Sequence, residues 1–308
     1  MIPNPQIRPW LKDDAFLADV EKARAEQNST GHAAPRLDLW WLGQSGFLVH
    51  FQGRTALLDP YLSDSLTRKY AGTDKPHVRM SERVIAPERL DFIDVVTSSH
   101  THTDHLDPET LRPLVAANPG LHLVCPEANR ATVQERSGLD PQRILGMDAA
   151  SPDGLPAHAP SDLSISGFRF IAVPAAHEEL SRDASNRLIY LGWVLEAGPF
   201  RLYHSGDTIR FPAMADALRP YQIDLALLPI NGRAPERRVA GNLWGREAAE
   251  LAKDIGARQA IPCHYDMFTF NTASPDEFRA ACDTLHQGYR VLGQGERLTL
   301  TGRTDSRV

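Results

Sequence analysis

Apolar and polar positions along this chain predict a short helical arm, then a run of strands, then alternating strands and helices. Between Asp13 and Gln27, Phe16, Leu17, Val20 and Ala23 share one helical face, and the polar stretch from Asn28 to Pro35 reads as a linker. The expected division is an N-terminal helical arm over residues 1–35 and a single larger domain over residues 36–308. Three apolar runs come next, Leu37 to Leu42, Gly46 to Phe51 and Thr55 to Asp59, with Gly-rich turns between them. Their spacing predicts an antiparallel meander.

From Asp94 the order changes to strand, helix, strand. After the apolar run from Asp94 to Ser99, Asp107 can cap a helix that starts at Pro108 and buries Leu111, Leu114 and Val115, and Leu121 to Cys125 reads as the next strand. A second set follows, with strands around Leu163 to Val173, Leu188 to Glu196 and Phe200 to Tyr203, a helix near Ala213 to Leu218, and a strand from Asp224 to Ile230. A helix from Trp244 to Ile255, a strand from Gln259 to Cys263, a helix from Pro275 to Leu285, and strands at Arg290 to Leu292 and Arg297 to Thr301 complete it. This order predicts an α/β (α+β) fold in which two mixed β-sheets pack together with helices outside.

Composition narrows the class. With 42% hydrophobic and 23% charged residues among 308, the chain can bury an extended core. A net charge of -6 offers no general attraction for nucleic acid or anionic lipid. Met1 to Gln6 lacks the start of a secretory signal, and no apolar run approaches the length of a membrane span. Cys125, Cys263 and Cys282 are odd in number and widely spaced, which fits a reducing compartment better than a disulfide framework. The expectation is a cytoplasmic protein with no nucleic-acid or membrane partner, in which the arm can either support a homo-oligomer or dock on its own core.

The densest chemistry lies in His100-Thr101-His102-Thr103-Asp104-His105, directly behind a predicted strand. Imidazole nitrogens and carboxylate oxygens are the ligands of catalytic zinc, manganese and iron sites, and one short loop can bring several of them together. A single loop cannot saturate two metals, and three further ligand-type residues stand at later strand ends: His177, Asp207 and His264. Each lies within three residues of a Gly or Pro, which permits the turn a converging loop needs. His204, three residues before Asp207, can orient that carboxylate or pack at the strand end.

These residues, together with Trp41 to Gly46, Asp59-Pro60-Tyr61, Tyr203 to Thr208 and Ile261 to Asp266, resemble the metallo-β-lactamase superfamily, and within it the branch that looks like the L-ascorbate-6-phosphate lactonases. The resemblance covers roughly Leu37 to Leu300. It implies an αββα four-layer sandwich with a dinuclear site at the sheet edge. Carried over by residue, it implies one metal on His100, His102 and His177, a second on Asp104, His105 and His264, and Asp207 as the bridge. In the same family motifs, Asp59 is expected to support the metal loops through hydrogen bonds or to serve a turn.

Two divalent cations about 3.5–4 Å apart, zinc or manganese with iron also compatible, can hold a bridging hydroxide that attacks an ester-like carbon or phosphorus. Asp104 and Asp207 are the expected catalytic carboxylates. The leading expectation is a metal-dependent hydrolase of a small molecule, most like a sugar lactone that can carry phosphate. The alternatives are a phosphodiesterase and a non-catalytic metal-binding protein. For an anionic substrate, the basic segments Arg68, Lys69, Lys75 and Arg79, and Arg233, Arg237 and Arg238, are candidate clamps or solvated loops, and Tyr265 and Asp266 are candidates for substrate contact or packing.

Overall fold

The computed structural model describes residues 6–29, 34–150, 152 and 154–302. Met1 to Pro5 and residues 30–33, which include His32 and half of the expected linker, lie outside the described residues. The expected meander forms as β1 (Arg36–Gly43), β2 (Gly46–Phe51) and β3 (Arg54–Leu58), paired antiparallel. A short helix α2 (Ser65–Lys69) then precedes β4 (Val95–Thr97), α3 (Pro108–Ala117) and β5 (His122–Pro126). Next come α4 (Arg130–Ser137) and β6 (Ile144–Met147), and β3 to β6 pair in parallel. The last strand, β13 (Arg297–Thr301), pairs antiparallel with β1, so the seven-stranded sheet runs β13-β1-β2-β3-β4-β5-β6.

The second sheet has six strands in the order β12-β11-β10-β9-β8-β7. They are β7 (Asp162–Ile165), β8 (Phe168–Pro174), β9 (Leu191–Ala197), β10 (Phe200–His204), β11 (Leu225–Pro229) and β12 (Gln259–Cys263). Both β8 and β10 run antiparallel to β9, and β10, β11 and β12 are mutually parallel. It follows that β8, β10, β11 and β12 all end at the same sheet edge. Helices α5 (Met214–Leu218), α6 (Gly245–Asp254) and α7 (Asp276–Leu285) fill the connections.

Period-two patterning explains how two sheets share one core. On β1 and β2, Leu37, Leu39, Trp41, Phe47 and Val49 face the second sheet, while Trp40, Leu42 and Leu48 face outward under the helices. The N-terminal arm forms α1 (Asp13–Ser29). Its Phe16, Val20 and Ala23 are buried in the outer core, with Phe16 edge-on to Trp40 at 6.4 Å, and the Trp40 indole donates to Asp19 at 2.8 Å. The apolar face of the arm therefore docks on its own sheet.

Three parts of the sequence reading need correction. The expected strand from Arg290 to Leu292 is irregular chain, next to a single bridge between Ala260 and Tyr289. The strand expected from Leu188 begins only at Leu191. Helices α2 and α4 and strand β6 had no counterpart in the reading; α4 buries only Val133 and Ser137, too few apolar positions to reveal a helical period.

Candidate metal centre

Four strand ends carry the expected ligands: the loop after β4 holds His100 to His105, β8 leads to His177, β10 to Asp207, and β12 to His264. Parallel strands whose carboxyl ends share an edge form a natural crevice for a ligand. Backbone and hydroxyl bonds join the loops. Ala176 N donates to Thr208 Oγ1 at 3.1 Å, tying the loop of His177 to that of Asp207, and His264 N donates to the Gln44 carbonyl at 2.9 Å. Arg136 on α4 donates from Nη1 to the carbonyls of Thr101 at 2.6 Å and Leu106 at 3.3 Å, clamping the histidine-rich loop from behind.

Gln44, Asp59 and His264 sit at turns with φ of +49°, +38° and +61°. Such non-glycine conformations cost on the order of 1–3 kcal/mol each, and they persist only where surrounding contacts fix them. For Asp59 those contacts are plain: its buried carboxylate accepts from Thr97 Oγ1 at 2.8 Å, from Ser99 N at 3.1 Å and from the Ser99 hydroxyl. At Gly206 (φ +59°) a Cβ would come within 2.7 Å of Ser99 Cβ, so the approach to Asp207 requires glycine.

The side chains converge closely. Asp207 Oδ1 is 3.2 Å from His105 Nε2, and Asp207 Oδ2 is 3.4 Å from His264 Nε2, 3.6 Å from His177 Nε2 and 4.0 Å from His100 Nε2. Asp104 Oδ2 is 3.3 Å from His264 Nε2 and 3.7 Å from His105 Nε2. The His102 ring stands 4.6 Å from that of His100 and 5.0 Å from that of His177. Two donors each about 2.1 Å from a shared tetrahedral cation stand about 3.4 Å apart, so this is the spacing of ligands around common ions. His100, His102, His177 and Asp207 form one group able to hold a cation, and Asp104, His105 and His264 form another. Asp59, His100 and His105 also lie within 4.8 Å of one another through their ligand atoms, but Asp59 already accepts four bonds from its neighbours.

Hydrogen bonds on the far side of the rings fix the tautomers. His105 Nδ1 donates to Asp59 Oδ2 at 2.8 Å, and His177 Nδ1 donates to the Gly241 carbonyl at 2.8 Å. In each neutral ring the Nε2 lone pair therefore faces carboxylate oxygen. Lone pair against lone pair is repulsive unless a proton or a metal ion stands between them. Three of the buried atoms at the centre, His100 Nε2, His105 Nε2 and Asp207 Oδ1, have no hydrogen-bond partner among the described residues. A buried polar atom left this way is costly, and a cation in each of the two groups, with Asp207 between them, would satisfy all three.

The titration of these groups follows the same physics. Burial opposes a charge on His105, yet Asp207 and Asp104 hold its pKa well above the ordinary imidazole value. His264, equally buried, is pushed up to about 9, with Asp207 the strongest opposing influence. Burial and the neighbouring His105 and His102 drive His100 the other way, well below that value. Burial would raise Asp104 and Asp207, but the adjacent His105 and His264 hold both carboxyls far below their usual range.

The remaining candidates fall in different places. His204 donates from Nε2 to the Ser45 carbonyl at 2.8 Å rather than to Asp207. Tyr265 stacks on Trp41 at 4.8 Å and is buried, as is Cys263. Arg233 is held by both oxygens of Glu247 at 2.6 Å. Two participants carried no signal as ligands. Gln44 Nε2 donates to Asp104 Oδ2 at 2.7 Å and lies 3.0 Å from His264 Nε2, and Tyr190 packs against His100, His102 and His177 with ring centroids 5.2 to 6.2 Å away. The Trp41 to Gly46 motif contained Gln44 but gave it no role; Tyr190 lies in irregular chain just before β9.

The site opens into a cavity of about 470 Å³ that includes His102, Asp104, His177, Asp207 and His264 in its wall. Comparison with known proteins points the same way as this architecture. A "UPF0173 metal-dependent hydrolase" from Aeropyrum pernix is 28% identical over 269 residues, which cover 84% of this chain and 95% of that protein. Among solved structures, the metallo hydrolase Igni18 from Ignicoccus hospitalis aligns over 87% of this chain and all of its own, with a TM-score of 0.62 and 20% identity. The isothiocyanate hydrolase from Delia radicum gut bacteria aligns over 86% and 100%, with a TM-score of 0.65 and 17% identity. The profile of the Beta-lactamase superfamily domain matches residues 54–265, from β3 through β12 and the His264 that follows it. With that match spanning most of the chain, and with two mixed sheets flanked by helices around it, the protein belongs to the metallo-β-lactamase superfamily.

Proposed function

We propose that this protein is a metal-dependent hydrolase of a small molecule, with His100, His102 and His177 holding one divalent cation, Asp104, His105 and His264 a second, and Asp207 shared between them. One observation carries this reading: seven ligand-type side chains from four strand ends converge at ligand spacing, with buried atoms at the centre that nothing else satisfies. The hydrolase names of relatives that align over most of their length support it. This nitrogen and oxygen donor set suits zinc or manganese, and iron is compatible. Divalent cations bound there supply Lewis acidity and lower the pKa of water toward neutrality.

The chain's own residues do the rest. Asp59 and the Gly241 carbonyl keep His105 and His177 in the tautomer that presents Nε2 inward. Gln44 holds Asp104, the carboxylate more open to the cavity, where it can take a proton during attack on the substrate. We read the substrate as ester-like, a sugar lactone first. The division into an arm over 1–35 and one hydrolase domain over 36–308 belongs to the same reading, as does a cytoplasmic location, which the three free, buried cysteines support.

The test joins metal analysis of protein purified without added metal to a hydrolysis screen of lactones, thioesters and bis-p-nitrophenyl phosphate. Asp207→Ala is expected to lose bound metal and to lower turnover by orders of magnitude on whichever substrate is cleaved. An Asp207→Ala protein with full metal content and the wild-type rate would refute the assignment. Cleavage of the phosphodiester alone would move the substrate from carbon to phosphorus and leave the metal centre standing.

A further inference from the structure

The wall of the cavity changes character away from the proposed ligands. Among the described residues its acidic members are Asp104 and Asp207, both already engaged with the histidines, whereas Lys69, Lys75 and Arg136 contribute positive charge. In a chain of net charge -6 such an imbalance needs a reason. Most cations of the two basic segments are neutralised: Arg68 pairs with Glu109, Arg79 with Asp64 and the carbonyls of Ser63 and Ser81, Arg233 with Glu247, and Arg238 with Asp74. Arg237 is spent on Asn271 and the carbonyls of Asn231 and Thr272. Lys69 and Lys75 differ from these arginines in lining the cavity. Neither has a carboxylate within ion-pair distance among the described residues.

Their placement relative to the reacting centre is defined by neighbours. Lys69 Nζ lies 3.4 Å from the hydroxyl of Thr103, the residue before Asp104, and 5.3 Å from the centre of the Tyr70 ring. The Lys75 ammonium donates to the Arg238 carbonyl, and with the ion pair between Arg238 and Asp74 it ties the loop around residue 75 to the segment around residue 238, whose Val239 and Ala240 also line the cavity. Tyr70 stacks on His77 at 4.4 Å, giving a flat wall beside the Lys69 ammonium in the cavity that Lys75 also lines. We propose that Lys69 and Lys75 form an oxyanion subsite that binds a carboxylate or phosphate carried by the substrate, with its ring or chain lying along Tyr70 and its scissile bond at the metal centre. Two compact point charges on flexible stems suit an oxyanion that arrives and leaves with each turnover. The proposal rests on the functional reading above, from which it takes the position of the scissile bond.

The test uses metal-loaded protein and three probes that share a ring and differ at one position: glucose, glucuronate and glucose 6-phosphate. Titration calorimetry at low salt is expected to show one or both anions binding tighter than glucose by about tenfold or more, and the tighter of the two distinguishes carboxylate from phosphate. In Lys69→Met/Lys75→Met that preference should fall to near unity with glucose binding and metal content unchanged, and Lys69→Arg/Lys75→Arg should keep most of it. Undiminished anion preference in the Met variant would overturn the subsite by placing the anion on the metal centre. Wild-type protein that binds neither anion more tightly than glucose, or binds no probe up to millimolar concentrations, would overturn it as well. Metal content measured on the same samples separates this outcome from failure of the metal centre itself: a protein that keeps the lysine-dependent preference without holding metal sinks only the functional reading.

Discussion

Asp59 shows how a residue outside the cavity can govern the one inside it. Its carboxylate is fully buried and fixes His105 through Oδ2, while Thr97 holds Oδ1 and Ser99 donates to both oxygens, so the ring has a single orientation and a single tautomer. Asp59→Asn keeps the size and one acceptor but removes the charge that favours Nδ1–H. Partners of this kind typically change metal affinity by 10 to about 100-fold when lost. Metal titration of Asp59→Asn should show a loss in that range with the circular dichroism spectrum of the wild type; unchanged affinity would make Asp59 a turn residue only. The ligand-type residues were legible because histidine and aspartate at strand ends carry their chemistry in their identity. Gln44 was not, since an amide is a poor metal ligand and its importance comes only from the distance to Asp104 and His264 in the folded chain. The Gly241 carbonyl was less legible still, because a backbone acceptor has no signature in sequence.

Among the elements, α3 was readable from its first residue, Pro108. Asp107 accepts from Glu109 N at 3.3 Å and from Thr110 Oγ1 at 2.6 Å, Pro108 opens the first turn, and Leu111 and Leu114 mark the buried face. Cap, proline and periodicity are all local, so sequence records them. The same cap ends the loop that carries His100 to His105. Asp107→Ala is expected to cost about 1 kcal/mol of stability, the usual worth of an N-cap, and to lower metal affinity together with stability. Chemical denaturation of the metal-loaded and metal-free forms checks both; a loss of stability equal in the two forms would uncouple the cap from the loop. By contrast α4 escaped notice although Arg136 on it clamps that same loop. Its sequence is polar on nearly every side, and its placement depends on tertiary contacts that no helical period announces.

At the scale of the whole molecule, sheet closure was the least legible feature. Pairing of β13 with β1 joins positions more than 250 residues apart, Thr299 opposite Asp38, and nothing local to either strand specifies the other. The consequence for the site is that both sheets must form before the four loops meet, so protons and metal ions should compete for one prebuilt cluster. In metal-free protein the raised groups, His105 and His264, stabilise the fold below the unfolded imidazole value of about 6.5, and this contribution is lost as pH rises toward their folded values, about 9 for His264. His100, lowered by burial, acts with the opposite sign: its contribution is complete above about 6.5 and is lost as pH falls below it. Metal-free protein should therefore be most stable near pH 6.5 and weaken on the alkaline side. Metal ions need neutral imidazoles, so their stabilisation grows as those protons leave. Thermal unfolding from pH 6 to 9, with and without added zinc or manganese, should show the gap in Tm between the two forms widening steadily with pH. A gap that stays constant or narrows across that range would mean that the metal does not displace the protons of His105 and His264, and hence that these two histidines are not its ligands.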